Sequence, residues 1–217
     1  MEAIDRHQKL ITRYTPDVAM TEVTAALKML DALKIRESKP DPNAPAYDRK
    51  ALSLKWDRIA TLGADVKDFM LARAMNPASL RFDADGFTVK HGQMTDPYTG
   101  EYITFEQVRN KQNRVIELDH VVALADAFRS GASRWKSDSR TWLNLYNDPG
   151  NLIATDKSAN AKKGDQHAGK WLPARHSFRA RYVIMQIQIK TRYRLSVATN
   201  EADAMRTVLE KCQACDH

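Results

Sequence analysis

Cysteine is nearly absent. The 217 residues hold two, Cys212 and Cys215, both near the C-terminus. No disulfide framework can be built from them, so the fold must stand on a packed core. Their Cys-x-x-Cys spacing is half of a zinc knuckle, but the second pair is missing and His217 is a terminal residue; the pair reads as incidental. Glycine and proline are scarce, eight of each, which excludes collagen-like and low-complexity chains. No apolar run approaches membrane-spanning length. The opening Met1-Glu2-Ala3-Ile4-Asp5-Arg6-His7 has no apolar signal core, and a cytoplasmic location is the expectation.

A local absence is more informative. From Gln166 to Asn200 there is no Asp or Glu, while the same stretch carries Lys170, Arg175, Arg179, Arg181, Lys190, Arg192 and Arg194. The whole chain has a formal charge of +7 and a pI of about 9.4. A basic chain with a one-sign segment fits a polyanionic partner, and Lys170, Arg175, Arg179 and Arg181 are the candidate phosphate-tracking residues. The competing reading is a solvated basic helix face. Apolar residues make up 43%, enough for a core. The length fits one domain with a helical extension, divided as a helical N-terminal region 1–78 and a second region 79–217 with basic C-terminal helices.

Periodicity predicts an α+β chain, mainly helical with short antiparallel strands. Helical spacing of Val18, Val23, Ala26, Leu27, Leu30 and Leu33 predicts a helix over 16–34. Pro40, Pro42 and Pro45 predict a loop. Further helices are expected over 52–62, 65–75, 105–112, 121–129 and 177–194. Asn200-Glu201-Ala202-Asp203 resembles a capping box opening a last helix. Strand pairs are expected around Asp85-Gly86, with 102–104 as another short strand. Val115–Leu118 and Leu152–Thr155 read as strands, the second feeding a helix capped by Asp156 or Ser158 that contains Asn160 and Lys163.

Chemistry concentrates between Glu117 and Asp165. Hydrolysing a phosphodiester needs an activated water and stabilisation of charge on the phosphate and leaving oxygen. A histidine can take a proton near neutral pH. A carboxylate and an amide oxygen are hard ligands for Mg²⁺ or Mn²⁺. His120, Asp119 and Asn160 supply those three groups. Because successive strand residues point to opposite faces, the chain must bend at the strand end for Asp119 and His120 to serve one site.

Glu117-Leu-Asp119-His120-Val-Val, Asn151-Leu152 and Asn160-Ala-Lys-Lys163-Gly-Asp165 together resemble the ββα-metal core of HNH endonucleases. Adding Asp96-Pro-Tyr-Thr-Gly100, Ser130-Gly-Ala-Ser-Arg-Trp135, Asn147-Asp-Pro-Gly-Asn-Leu152 and Trp171-Leu-Pro173, the pattern is similar to the family found at the C-terminus of GmrSD-type modification-dependent restriction enzymes. The resemblance implies a metal-dependent HNH endonuclease hydrolysing DNA. In it His120 is the general base, Asp119 and Asn160 hold one Mg²⁺ or Mn²⁺, Asn151 fixes the loop and the histidine, and Lys163 contacts phosphate. A ribonuclease using the same site and a catalytically silent nucleic-acid-binding module are the alternatives; DNA is the favoured partner, and no membrane is involved. Exported relatives carry cysteines in the N-terminal half, and this chain has none there, in line with the cytoplasmic expectation.

Overall fold

The computed structural model describes residues 17–36, 46–59, 63–107 and 114–214. Among these the chain is α+β, with seven α-helices and four small sheets. The first helix, α1 (Met20–Ala32), buries Val23, Ala26 and Leu30, the stripe that 3.6-residue periodicity demands. That stripe packs on α6 (Arg179–Arg192) and α7 (Thr199–Ala214) through Tyr182, Val183, Ile187, Met205 and Leu209. Glu201 accepts a hydrogen bond from the Ala198 amide at 3.0 Å, one half of a capping box at the start of α7. Beside these helices β1 (Ile35–Arg36) pairs in parallel with β9 (Val197–Ala198), a departure from the purely antiparallel expectation.

Buried ions hold this end of the molecule. Lys190 is fully buried and reaches Asp126 at 2.8 Å and Glu201 at 2.6 Å; Arg36 joins at 3.1 Å from Asp126. Charges taken out of water survive only when paired in this way. The cluster ties together β1, α3 (Leu124–Arg129), α6 and α7.

Asp65 caps α2 (Val66–Ala74) by accepting the Asp68 amide, and the helix lies on the sheet formed by β4 (Arg81–Phe82), β5 (Val89–Thr95) and β6 (Tyr102–Glu106). Leu71, Met75, Val89, Met94 and Phe105 form its core. Two helix expectations fail on this side. Within 52–62 the described residues hold a 3-10 turn (Lys50–Leu52) and β2 (Arg58–Ile59), which pairs with β3 (Ala64–Asp65). Phe105 and Glu106 complete β6 because Gly92 and His91 stand opposite them in the ladder; the rest of that expected helix, and the proline loop, lie largely or wholly outside the described residues. In both cases tertiary pairing overrode local propensity.

The remaining pair carries the motif residues. β7 (Ile116–His120) runs antiparallel to β8 (Leu152–Asp156), from Ile116 opposite Asp156 to His120 opposite Leu152. Between the strands lie α3 and α4 (Arg140–Asn147), the second of which the polar, Trp-containing sequence did not announce. α5 (Lys157–Lys163) follows β8 without a loop: Asp156 ends the strand and caps the helix by accepting the Ala159 amide at 2.8 Å. Gly164, at φ 54°, then stops α5 in a conformation costly for a side chain.

Candidate functional site

Alternation along β7 divides its residues between two faces. Ile116, Leu118 and His120 turn toward α2 and Trp56; Glu117 and Asp119 turn toward α5. Asn160 and Lys163 are one turn apart on α5, so they cover the same face. Asn160 donates its amide N–H to Glu117 Oε2 at 3.1 Å. Lys163 Nζ donates to Asp119 Oδ1 and to the His120 carbonyl, each at 2.9 Å. The second oxygen of Asp119 accepts the Tyr98 hydroxyl at 2.6 Å.

These charges are buried. Asp119 is 6% exposed and Lys163 0%. Burial raises the Asp119 carboxyl, and the Lys163 ammonium with the Tyr98 hydroxyl pulls the other way. Burial, then the charge of Asp119, lifts the Tyr98 hydroxyl well above its ordinary range, so it acts as a neutral donor. Lys163, for which the resemblance implies a phosphate contact, is buried here and touches Asp119 and the His120 carbonyl.

His120 lies on the other face. Its ring stacks on Trp56 at 6.2 Å between centroids and packs on Tyr146 at 4.9 Å. Nε2 stands 2.9 Å from the Tyr146 carbonyl. A carbonyl only accepts, so Nε2 carries the proton and Nδ1 carries the lone pair. Burial lowers the imidazole to about 3, and it is neutral at physiological pH. The strand stays extended through His120, so the bend expected between Asp119 and His120 does not occur. The structure therefore brings Asp119, Asn160 and Lys163 to one face and holds His120 on the reverse of the same strand.

Asn151 is fully buried just across the hairpin from the end of β7. Its side chain accepts the Val122 amide at 2.8 Å and donates to the Val122 carbonyl at 3.3 Å, while its own carbonyl accepts the Val121 amide at 2.8 Å. Those bonds hold the chain that immediately follows His120.

Several residues that shape the site escaped sequence reasoning: Glu117 as the partner of Asn160, Tyr98 on Asp119, and Trp56 and Tyr146 on His120. Tyr98 had a signal in the Asp96–Gly100 turn. Asp96 is fully buried and accepts from Thr99, from the Thr155 hydroxyl at 2.6 Å and from the Asp156 amide at 3.0 Å, which locks that turn against β8. Trp56 had none. It is placed by Asn147, whose side chain accepts the Asp57 amide and donates to the Lys55 carbonyl.

The donors facing α5 suit a hard divalent cation in type: two carboxylates and an amide oxygen. They already enclose one positive charge, the Lys163 ammonium. A metal on Asp119 must share that carboxylate with Lys163 or displace it. Among the described residues no group of three or more His, Cys, Asp or Glu is gathered to hold a metal.

The basic stretch is less open than its composition implies. Arg181 pairs with Glu22 at 2.6 Å and also binds the Asp17 carbonyl, Lys190 is buried, and Arg192 pairs with Asp148 at 2.6 Å. Arg179 donates to the Pro173 carbonyl and Arg175 to Ser177, and Lys170 is exposed. His167 is 7% exposed, and its Nδ1 accepts the Gly169 amide.

No helix among the described residues is long and apolar enough to cross a membrane. One curated relative, an "Uncharacterized secreted protein" of Arthroderma benhamiae, is 37% identical over 98 residues, which cover 45% of this chain and 48% of the relative. The match thus spans about half the length of that relative. Its description as secreted overturns the cytoplasmic expectation. That expectation rested on the lack of an apolar signal core in the opening residues and of cysteines in the N-terminal half. No solved structure matches. The profile of the family described as "GmrSD restriction endonucleases, C-terminal domain" matches residues 86–208, more than half of the chain and every motif residue of the β7–β8–α5 unit, and the protein belongs to that family.

Proposed function

We propose that the chain is a metal-dependent HNH endonuclease that hydrolyses DNA phosphodiester bonds, with β7, β8 and α5 as its ββα-metal core. The family supports a nuclease; the carrying observation is the neutral, oriented His120, whose Nε2–H is engaged by Tyr146 and whose Nδ1 keeps its lone pair. In this reading Nδ1 takes a proton from water as the water oxygen attacks the phosphorus and the bond to the leaving 3′ oxygen breaks, and the aromatic walls of Trp56 and Tyr146 keep the ring from rotating. Asp119 and Asn160 would hold one Mg²⁺ or Mn²⁺, which would stabilise charge on the phosphate and the leaving oxygen. Asn151 keeps the segment after His120 in place, and Lys163 balances the Asp119 carboxylate. Like its relative, the protein is read as secreted.

Plasmid incubated with purified protein and Mg²⁺, Mn²⁺ or EDTA tests this. Cleavage should need the metal, vanish in His120→Ala and fall in Asn160→Ala. Robust cutting by His120→Ala would refute the assignment. One observation favours a second reading, a catalytically silent nucleic-acid-binding module: His120 faces away from Asp119 and Asn160. That reading predicts DNA binding unaffected by EDTA and no cleavage.

A further inference from the structure

The segment 46–59 is pinned to the His120 side of the hairpin at three places. The Tyr47 ring meets Phe128 of α3 edge-on, 5.5 Å between centroids. Leu52 is buried in one core cluster with Trp142, Leu145 and Tyr146 of α4. Asn147, the last residue of α4, accepts the Asp57 amide at 2.8 Å and donates to the Lys55 carbonyl at 3.0 Å. These ties fix the chain between them, and with it Trp56 on His120 and Arg49 on Tyr146. The Arg49 side chain hydrogen-bonds the Tyr146 side chain, whose ring packs on His120 at 4.9 Å.

Arg49 is exposed, and among the described residues it is in no ion pair. A guanidinium has five N–H donors and Tyr146 offers a single hydroxyl oxygen, so most of them are left for a ligand. Burial is the main reason that His120 is neutral, and Arg49 is the charge that adds most to it, ahead of Lys163. The neighbouring Lys50, Lys55 and Arg58 are exposed as well. The cations that the sequence offered to phosphate are placed differently. Lys163 is buried on Asp119, across β7 from the His120 ring, and Arg181, Lys190 and Arg192 are paired with carboxylates. A phosphate presented to the His120 face therefore meets Arg49, whose planar fork suits two phosphate oxygens at once.

We propose that Arg49 is a substrate-binding residue, gripping a backbone phosphate of the DNA strand beside the Trp56–Tyr146–His120 ring cluster. It rests on the nuclease reading above for the identity of the ligand, and it supplies on the His120 face the cation that Lys163 holds back on the other. Arg49 lies outside residues 86–208, so the segment that precedes the family match contributes to the site.

The test is fluorescence anisotropy of the full chain with a labelled duplex oligonucleotide, in EDTA, at NaCl concentrations from about 50 to 200 mM. Each phosphate that a cation neutralises adds about 0.9 to the steepness with which log affinity falls against log salt. Arg49→Gln should weaken binding roughly tenfold and reduce that steepness by about 0.9, with an unchanged melting temperature. Arg49→Lys keeps the charge and should keep the salt dependence. A side chain that only braces Tyr146 would leave the salt dependence intact when replaced. An Arg49→Gln protein with the wild-type salt dependence therefore overturns the proposal, as does a wild type that binds no duplex. Should Arg49→Gln melt early, Arg49→Met, which keeps an unbranched stem without the charge, is the second probe, with the same expected loss. Plasmid cleavage with Mg²⁺ measured in parallel separates the two readings. The expected loss of salt dependence without wild-type cleavage sinks the nuclease and keeps the phosphate contact, and cleavage with an unaltered salt dependence does the reverse.

Discussion

Two histidines are held neutral by burial, His120 at about 3 and His167 at about 4. Folding a neutral imidazole means that the unfolded chain binds more protons wherever pH lies below the ordinary value near 6.5. Stability contributed by these groups is full above that value and falls as pH drops toward 4, by about 1.4 kcal/mol per pH unit for each histidine at its steepest. Urea denaturation of the wild type between pH 7 and 4.5 should show this fall, and His120→Gln should have the shallower slope; equal slopes would refute the link. Lys163 belongs to the same scale. Its ammonium compensates a carboxylate that is 6% exposed, so Lys163→Met should cost about 3–5 kcal/mol by leaving Asp119 charged and buried. Adding Asp119→Asn should recover part of that loss in a double-mutant cycle, and an additive result would show that the two side chains are not coupled.

At the scale of elements, the hairpin works because the chain beyond β7 is stitched to the start of β8. Asn151 bonds both backbone groups of Val122 from a fully buried position. Asn151→Ala should cost about 2–4 kcal/mol, the loss of two buried hydrogen bonds and the stranding of their partners. Cleavage should drop further than the folded fraction, because the histidine is the nearest residue outside the stitch; activity tracking folded protein alone would argue for a purely structural role. The join between the α5–α6 connection and α7 depends on a glycine. A Cβ on Gly169 would stand 2.6 Å from the Asn200 carbonyl oxygen, and that atom is backbone. Gly169→Ala should therefore lower the melting temperature; a neutral result would mean that the start of α7 shifts freely.

For the molecule as a whole, the buried Lys190–Asp126–Glu201–Arg36 cluster joins segments more than a hundred residues apart in the chain. Lys190→Ala would leave Asp126 and Glu201 together without their shared ammonium, and about 3–5 kcal/mol of stability should go with it. Guanidinium denaturation reads this directly; a loss below about 1 kcal/mol would mean that water or Arg36 replaces the lysine.

Short-range signals in the chain were legible. The periodic stripe of α1, the Asp156 cap and the β-runs on either side of the motif all act over a few residues, and each stands close to where local chemistry puts it. The ordered string of Asp, His and Asn residues carried the family for the same reason: it is a property of order along one chain. Partnership across the fold was not legible. The acid-free stretch read as an open basic surface, but Glu22, Asp126, Glu201 and Asp148 come from other elements to pair with three of its cations, Arg181, Lys190 and Arg192. Trp56 reached His120 only because Asn147 tied down its strand of chain. Which face of β7 each motif side chain occupies was likewise a tertiary outcome. A sequence states that Asp119 and His120 are neighbours; only an extended backbone, held by pairing with β8, sends one toward α5 and the other toward Trp56.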